Sequence, residues 1–256
     1  PIHWAQEMFD QGGLVREAVK WDYELRVPAQ VGDVVSRAVE VTMSAPRGPV
    51  YLVLPREPLS APLAEPIGPI KPRAVAAPTM PDVNSIVTLA EWIAAAERPL
   101  IVTAALPGDA VEPLAQLAER CAIPVITYMP RTMCLPSSHP MHFGGEPGTM
   151  LADADLVIVL EADVPWIPSL QGPAAGARIA HIGEEPAYVR YPMRSFPSSL
   201  TIQSGAANAL DALHEALHSR LQMAEPRIAT RRARLTERMR MRRAQLAKDA
   251  AATDKI

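Results

Sequence analysis

Cysteine, aromatic side chains, long apolar runs and recognisable catalytic signatures are all scarce in this sequence, and each scarcity excludes something. Cys121 and Cys134 are the two cysteines of the 256 residues. They form neither a CxxC pair nor a Cys/His cluster, so the sequence offers no disulfide framework and no zinc site, and a reducing cytoplasm is the expected compartment. No apolar run approaches the roughly 20 residues needed to cross a bilayer; the longest, such as Leu156 to Leu160, are strand-sized. No membrane partner is expected. G-x-S-x-G, H-E-x-x-H, GxxxxGK[ST] and G-x-G-x-x-G are all missing, which removes the short motifs of serine hydrolases, zinc proteases, P-loop enzymes and dinucleotide folds.

Proline, by contrast, is abundant. There are 27, about twice the usual share of roughly 5%, and eight fall between Pro55 and Pro81. That stretch reads as a semi-rigid connector, because proline fixes φ and removes backbone donors. Charge is uneven as well: residues 1–224 carry a net −9 and residues 225–256 a net +6. The first residue is proline rather than methionine, which suggests a piece of something longer.

Before the connector, apolar residues at Val31, Val34, Val35, Ala38 and Val39 have helical spacing, and Val50 to Leu54 reads as a buried strand. After it the rhythm is regular. Asp82 is placed to cap a helix with apolar positions at Val83, Ile86, Val87, Ala90 and Ile93. A second helix carries Val111, Leu114, Ala115 and Ala118, and a third runs from about Gly205 to His218. Strands read at Leu100 to Ala104, Val125 to Thr127, Leu156 to Leu160, Arg178 to Ile182 and Leu200 to Gln203. Continuously apolar strands alternating with amphipathic helices predict an α/β, doubly wound parallel sheet of Rossmann-like type, preceded by part of a second α/β domain. Ligands on such sheets sit at the carboxyl ends of the strands.

Chemistry is sparser. His139 and His142 sit in a Pro/Gly-rich loop with no third ligand nearby, so a structural role outweighs metal binding. Gly144, Gly145 and Gly148 belong to a loop whose amides can approach a phosphate. Glu161, Ala162 and Asp163 follow a strand directly, and carboxylates there suit a ribose hydroxyl but repel a diphosphate. The segment from Glu225 to Lys248 holds nine Lys/Arg and two Glu without interleaved aromatics. It reads as a solvated helix or the lead-in to a following domain rather than a nucleic-acid surface. The residues alone lead to a nucleotide-binding-like α/β domain flanked by fragments.

Three stretches together resemble the thiamine-diphosphate enzymes of the acetolactate synthase type. Trp4-Ala5-Gln6-Glu7 with Arg16 and Lys20 is similar to the family's Phe-Gln-Glu segment and the Arg-x-x-x-Lys that follows it. The run from Arg47 to Pro55 resembles the strand closing the pyrimidine-binding domain, and the succession of strands from Pro99 to Ile182 resembles the central domain. The resemblance implies residues 1–62 as the end of the pyrimidine-binding domain, 63–81 as a linker, 82–218 as the central domain, and 219–256 as a basic helical segment leading to a diphosphate-binding domain. It implies thiamine diphosphate, Mg²⁺, a 2-keto acid substrate and a homo-oligomer (dimer or tetramer) for the parent enzyme. The family's Gly-Asp-Gly with its later Asn-Asn and its activating Glu lie outside these residues, so the piece alone should not turn over.

Gln6 matches the glutamine near thiazolium and substrate and is the one catalytic candidate. Arg16 matches an arginine that contacts FAD in acetolactate synthases. Tyr128, Met129, the 144–148 loop and Glu161, Ala162 and Asp163 fall where those enzymes lay FAD against the central domain. The sequence departs from the pattern there. Ala104-Ala105-Leu106-Pro107 replaces a glycine-rich turn, Glu161 replaces a glycine, and Gly183 replaces an aspartate. Each change weakens FAD binding. The rival readings are a stand-alone Rossmann-like nucleotide-binding module without thiamine chemistry, and an interaction protein whose basic tail binds nucleic acid.

Overall fold

Three strand segments of the second half of the chain, Pro99–Thr103, Val125–Thr127 and Leu156–Leu160, are apolar but for one threonine or none and buried at every residue, and a strand of that kind is stable only when both faces are covered. The computed structural model describes residues 8–253, with side chains to residue 251; Gln6 lies outside them. The chain divides into two compact units, Pro1–Ala77 and Pro78–Ile256.

In the first unit, α1 (Gln11–Val15), β1 (Trp21–Glu24), α2 (Val31–Met43), β2 (Val50–Val53) and α3 (Arg56–Ser60) follow one another. The two strands pair in parallel, with Trp21 opposite Val50. Lys20 ends the approach to β1 by donating from Nζ to the carbonyls of Val41 and Ser44, at 2.9 and 2.7 Å. A cation at the carboxyl end of α2 satisfies carbonyls that have no intrahelical partner. The Pro-rich stretch after α3 has no regular structure.

In the second unit, α4 (Val83–Ala95), β3 (Pro99–Thr103), α5 (Val111–Cys121), β4 (Val125–Thr127), α6 (Gly148–Asp153), β5 (Leu156–Leu160), β6 (Arg178–Gly183), β7 (Leu200–Gln203), α7 (Ala206–His218) and α8 (Leu221–Thr253) alternate. Asp82 caps α4 by accepting from the Ser85 N–H at 2.8 Å. The strand order is β4-β3-β5-β6-β7, all parallel. The doubly wound fold expected from the apolar strands is therefore present. The order reverses between β3 and β5, which sets the crevice outside their carboxyl ends as the ligand position of the fold. Residues Met141 to Gly144 return alongside β4: Val125 N–H donates to Met141 O, Phe143 N–H to Val125 O and Thr127 N–H to Gly144 O.

The basic terminal segment is helical, but it is not a solvated helix throughout. Ala224, Ile228, Arg231 and Leu235 form a buried stripe along α8, spaced as one face of a helix requires. Arg231 is 1% exposed. Its Nη1 donates to Cys121 O at 3.0 Å, and its Nη2 donates to Ile93 O at 2.7 Å and Ala96 O at 2.5 Å. Arg234 donates to Glu97 O, and Asp155 accepts from the N–H groups of Glu97 and Arg98. Arg232 reaches Glu119 O at 2.8 Å and Arg238 reaches Thr149 Oγ1. Most of the segment is solvated as expected; the exception is the stripe around Arg231, where Arg231, Arg232 and Arg234 end on backbone carbonyls at the carboxyl ends of α4 and α5, where partial negative charge collects.

Removing the Arg231 guanidinium leaves buried carbonyls unsatisfied, at about 1–3 kcal/mol each, offset by relief of a buried charge. Arg231→Met should lower the unfolding free energy of the 256-residue chain by about 3 kcal/mol in urea titrations, and Arg231→Lys by about 2 kcal/mol, since an ammonium cannot span both helix ends. Arg234→Met, at an exposed single bond, should change it by less than about 1 kcal/mol. Equal effects at the two positions would refute the assignment.

Candidate functional site

The carboxyl end of β5 is where the polar groups of the second unit converge. The chain turns sharply at Glu161, whose φ is +47°, a left-handed conformation costing about 1–2 kcal/mol for a residue with a side chain. The turn keeps Glu161 in register on both sides: its N–H donates to Ile182 O at 2.9 Å and its carbonyl accepts from Ala105 N–H at 3.1 Å. Its side chain folds across the end of β6, accepting from the Glu184 N–H at 3.0 Å. A Cβ built on Gly183 would lie 2.9 Å from Glu161 Oε2. Gly183 is therefore the residue that makes room for this carboxyl.

Two residues on, Asp163 gathers three partners. Arg131, from the loop after β4, donates Nη1–H to Oδ1 at 2.9 Å; Tyr191 donates its hydroxyl to Oδ2 at 2.8 Å; Val164 N–H donates to Oδ1 at 3.0 Å. Arg194 donates to the carbonyls of Asp163 and Ala162 at 3.1 and 3.3 Å. Its guanidinium lies over the rings of Tyr188 and Phe196, 4.7 and 5.1 Å from their centroids. His181 on β6 is buried, with Nε2 3.1 Å from Pro197 O and Nδ1 3.3 Å from Arg194 Nη2. The carbonyl needs a donor and the guanidinium an acceptor, so the neutral Nε2–H tautomer is the one both partners select.

Burial pushes Glu161 up to about 7, against a lowering pull from the Glu184 N–H. Burial also pushes Asp163 up, but the bonds from Arg131, Tyr191 and Val164 outweigh it and hold it below the usual carboxylate range. Burial pulls His181 down to about 4, and the nearby Arg194 adds to that.

The other residues singled out in the sequence are placed as follows. Tyr128 is buried, with its N–H on Thr103 O, while Met129 is exposed at a φ of +43°. Gly144 and Gly145 sit beside β4 on the outer edge of the sheet, and the Arg242 side chain occupies the space a Gly144 side chain would fill. Gly148 is not a loop residue: it opens α6, its N–H on Gln171 Oε1 at 2.9 Å. In the first unit Arg16 is held by Asp22 through Nε–H to Oδ1 and Nη2–H to Oδ2, at 3.0 and 3.1 Å, and by Asp10 at 3.2 Å. Those bonds raise the guanidinium pKa further and lower that of Asp22, most strongly through Arg16. Arg131, Tyr191, Arg194 and His181 were not singled out in the sequence. The one signal for them was the pair of carboxylates after β5, which calls for cationic partners. Among the described residues no group of three or more His, Cys, Asp or Glu side chains is placed to hold a metal ion.

Sheet order, switch-point crevice and flanking helices define a doubly wound domain of the nucleotide-binding type. Its sequence matches the family model of the thiamine pyrophosphate enzyme central domain over residues 86–216. The chain thus belongs to the thiamine pyrophosphate enzymes and carries their central domain. It is similar to a probable 2-ketoarginine decarboxylase of Pseudomonas aeruginosa, 30% identical over 86% of this chain and 39% of that protein. A probable acetolactate synthase large subunit of Methanocaldococcus jannaschii is 27% identical over 83% of this chain and 38% of its own length. Among solved structures, a putative thiamin diphosphate-dependent enzyme from Mycobacterium smegmatis superposes with a TM-score of 0.63 at 26% identity, covering 78% of this chain and 39% of that one. The chain spans between a third and two fifths of the length of these relatives.

Glu161 and His181 titrate with opposite effects on stability. Glu161 holds its proton more tightly folded than unfolded, so its contribution is full below about 4.5 and is lost as pH rises through about 7. His181 holds its proton less tightly folded, so its contribution is full above about 6.5 and is lost as pH falls towards about 4. Between these limits the two slopes cancel. Glu161→Gln uncovers the histidine: relative to the parent chain it should lose about 1.4 kcal/mol of unfolding free energy per pH unit between pH 6 and 5. Parallel stability profiles of the two chains would contradict the assignment.

Proposed function

We propose that this chain is part of a thiamine-diphosphate- and Mg²⁺-dependent enzyme acting on 2-keto acids, by acetolactate-synthase-like carboligation or decarboxylation. The observation that carries the reading is the family match over residues 86–216 on a parallel sheet of matching kind. The relatives' names support the substrate class, since one is a 2-ketoarginine decarboxylase and another an acetolactate synthase large subunit. Thiamine diphosphate, when bound, supplies the electron sink for making or breaking the carbon–carbon bond beside the keto group.

Gln6 is the catalytic residue of this reading: its amide both donates and accepts, which suits a keto acid's carboxylate and carbonyl oxygens. Arg16, which the resemblance sets against FAD, is held in the loop before β1 by Asp10 and Asp22. In the proposed organisation, residues 1–62 end the pyrimidine-binding domain, 63–81 link, 82–218 form the central domain and 219–256 lead onward. No described helix is long and apolar enough to cross a membrane, and a cytoplasmic homo-oligomer is the state proposed. The absence of a nucleic-acid role is supported by Arg231, Arg232 and Arg234 being turned onto backbone carbonyls. No observation favours a stand-alone nucleotide-binding module.

The natural protein carrying this sequence should consume pyruvate or another 2-keto acid only with thiamine diphosphate and Mg²⁺ present. Gln6→Ala should lower kcat/KM at least about tenfold, a loss of about 1.4 kcal/mol of transition-state stabilisation. Failure of the protein to bind thiamine diphosphate in calorimetry would overturn the reading.

A further inference from the structure

Doubly wound sheets take nucleotides in the crevice at the strand-order reversal, where a diphosphate needs unpaired backbone N–H groups, close backbone approach and an absence of negative charge. The crevice between β3 and β5 meets none of these needs. Three of the amides at its mouth are used: Ala105 N–H by Glu161 O, Leu106 N–H by Thr132 Oγ1 at 2.8 Å, and Glu184 N–H by the Glu161 carboxyl. The turn after β3 is closed by Ala104 and Leu106, both buried. Negative charge at the mouth is that of Asp163, which Arg131 ties across the reversal.

We infer that this crevice is sealed by the chain's own side chains, and that the central domain takes neither FAD nor ADP. Two departures from the resemblance support each other here. Glu161 stands where a glycine is expected and Gly183 where a carboxylate is expected, and the carboxyl of the first fills the space left by the second. An aspartate at 183 beside Glu161 would put two carboxylates in one pocket. The carboxylate has in effect moved from the end of β6 to the end of β5, where it takes up an amide instead of a ribose. Over it lies a strap, residues 184–197, held down by Tyr191 on Asp163 and by Arg194 on the Ala162 and Asp163 carbonyls.

The inference concerns the central domain alone and is independent of thiamine chemistry, so neither arm of the test contains thiamine diphosphate. FAD and ADP are titrated separately into the 256-residue chain by calorimetry, with circular dichroism confirming the fold. The expected result is no saturable heat up to about 1 mM, an affinity weaker than about −4 kcal/mol. Saturable binding of either nucleotide below that concentration, or a flavin spectrum in the purified chain, would overturn the inference. Hydrogen exchange supplies the second arm. In Arg131→Ala and Asp163→Asn the amides of residues 184–197 should exchange about tenfold faster than in the parent chain, while those of β3 and β5 hold their rates. Unchanged exchange in the strap would show that these side chains do not seal it. Glu161→Gly tests the steric part: glycine suits the left-handed φ, so the variant should fold, and its Glu184 N–H should exchange faster.

Discussion

A charged side chain with nowhere to shed its charge organises the second unit. Placing a guanidinium in the interior costs several kcal/mol in lost hydration, so Arg231 is tolerated only because it meets groups that lack partners of their own. The last carbonyls of any helix are such groups. Arg231 takes those of α4 and α5 together, Arg234 takes Glu97 O, and Asp155 takes the two N–H groups that follow. The backbone groups at the corner between α4 and β3 are thereby partnered, while the buried Arg231 Nε–H is left without an acceptor. That corner sets the entry of β3, the strand against which β4 and β5 both pair.

From this follows the geometry of the crevice. With β3 fixed, β5 lies alongside it through the Ala105–Glu161 bond, two residues beyond β3 and one beyond β5. In a nucleotide-binding sheet the chains splay apart at this point. Here they stay joined, and the loop after β4 closes over them through Arg131.

The strands and most of the helices are legible in the sequence because their signal is local. A run such as Leu156 to Leu160 is apolar at every position, and α4 shows both its cap and its spacing. The helix α6 is illegible, since six residues opening on Gly148 carry no periodicity. The stripe on α8 is hidden for a different reason: Arg231 occupies a buried position and reads as a solvent residue, which breaks the pattern of Ala224, Ile228 and Leu235. At the candidate site, Glu161 and Asp163 are visible as carboxylates after a strand. Their partners are not, because Arg131, Tyr191 and Arg194 come from loops about 30 residues away, and only the strand order brings them together.

The two carboxyls also show how one turn separates two protonation states. Asp163 points to Arg131 and Tyr191 and stays ionised; Glu161, two residues earlier, faces the sheet and one backbone amide, and burial raises it to about 7. The two shifts have separate causes: burial raises Glu161, and the bonds from Arg131, Tyr191 and Val164 hold Asp163 low. The left-handed turn at Glu161 is what aims the two side chains apart, so its conformational cost is offset by the charge arrangement it permits. A glycine there would remove the strain and the seal together.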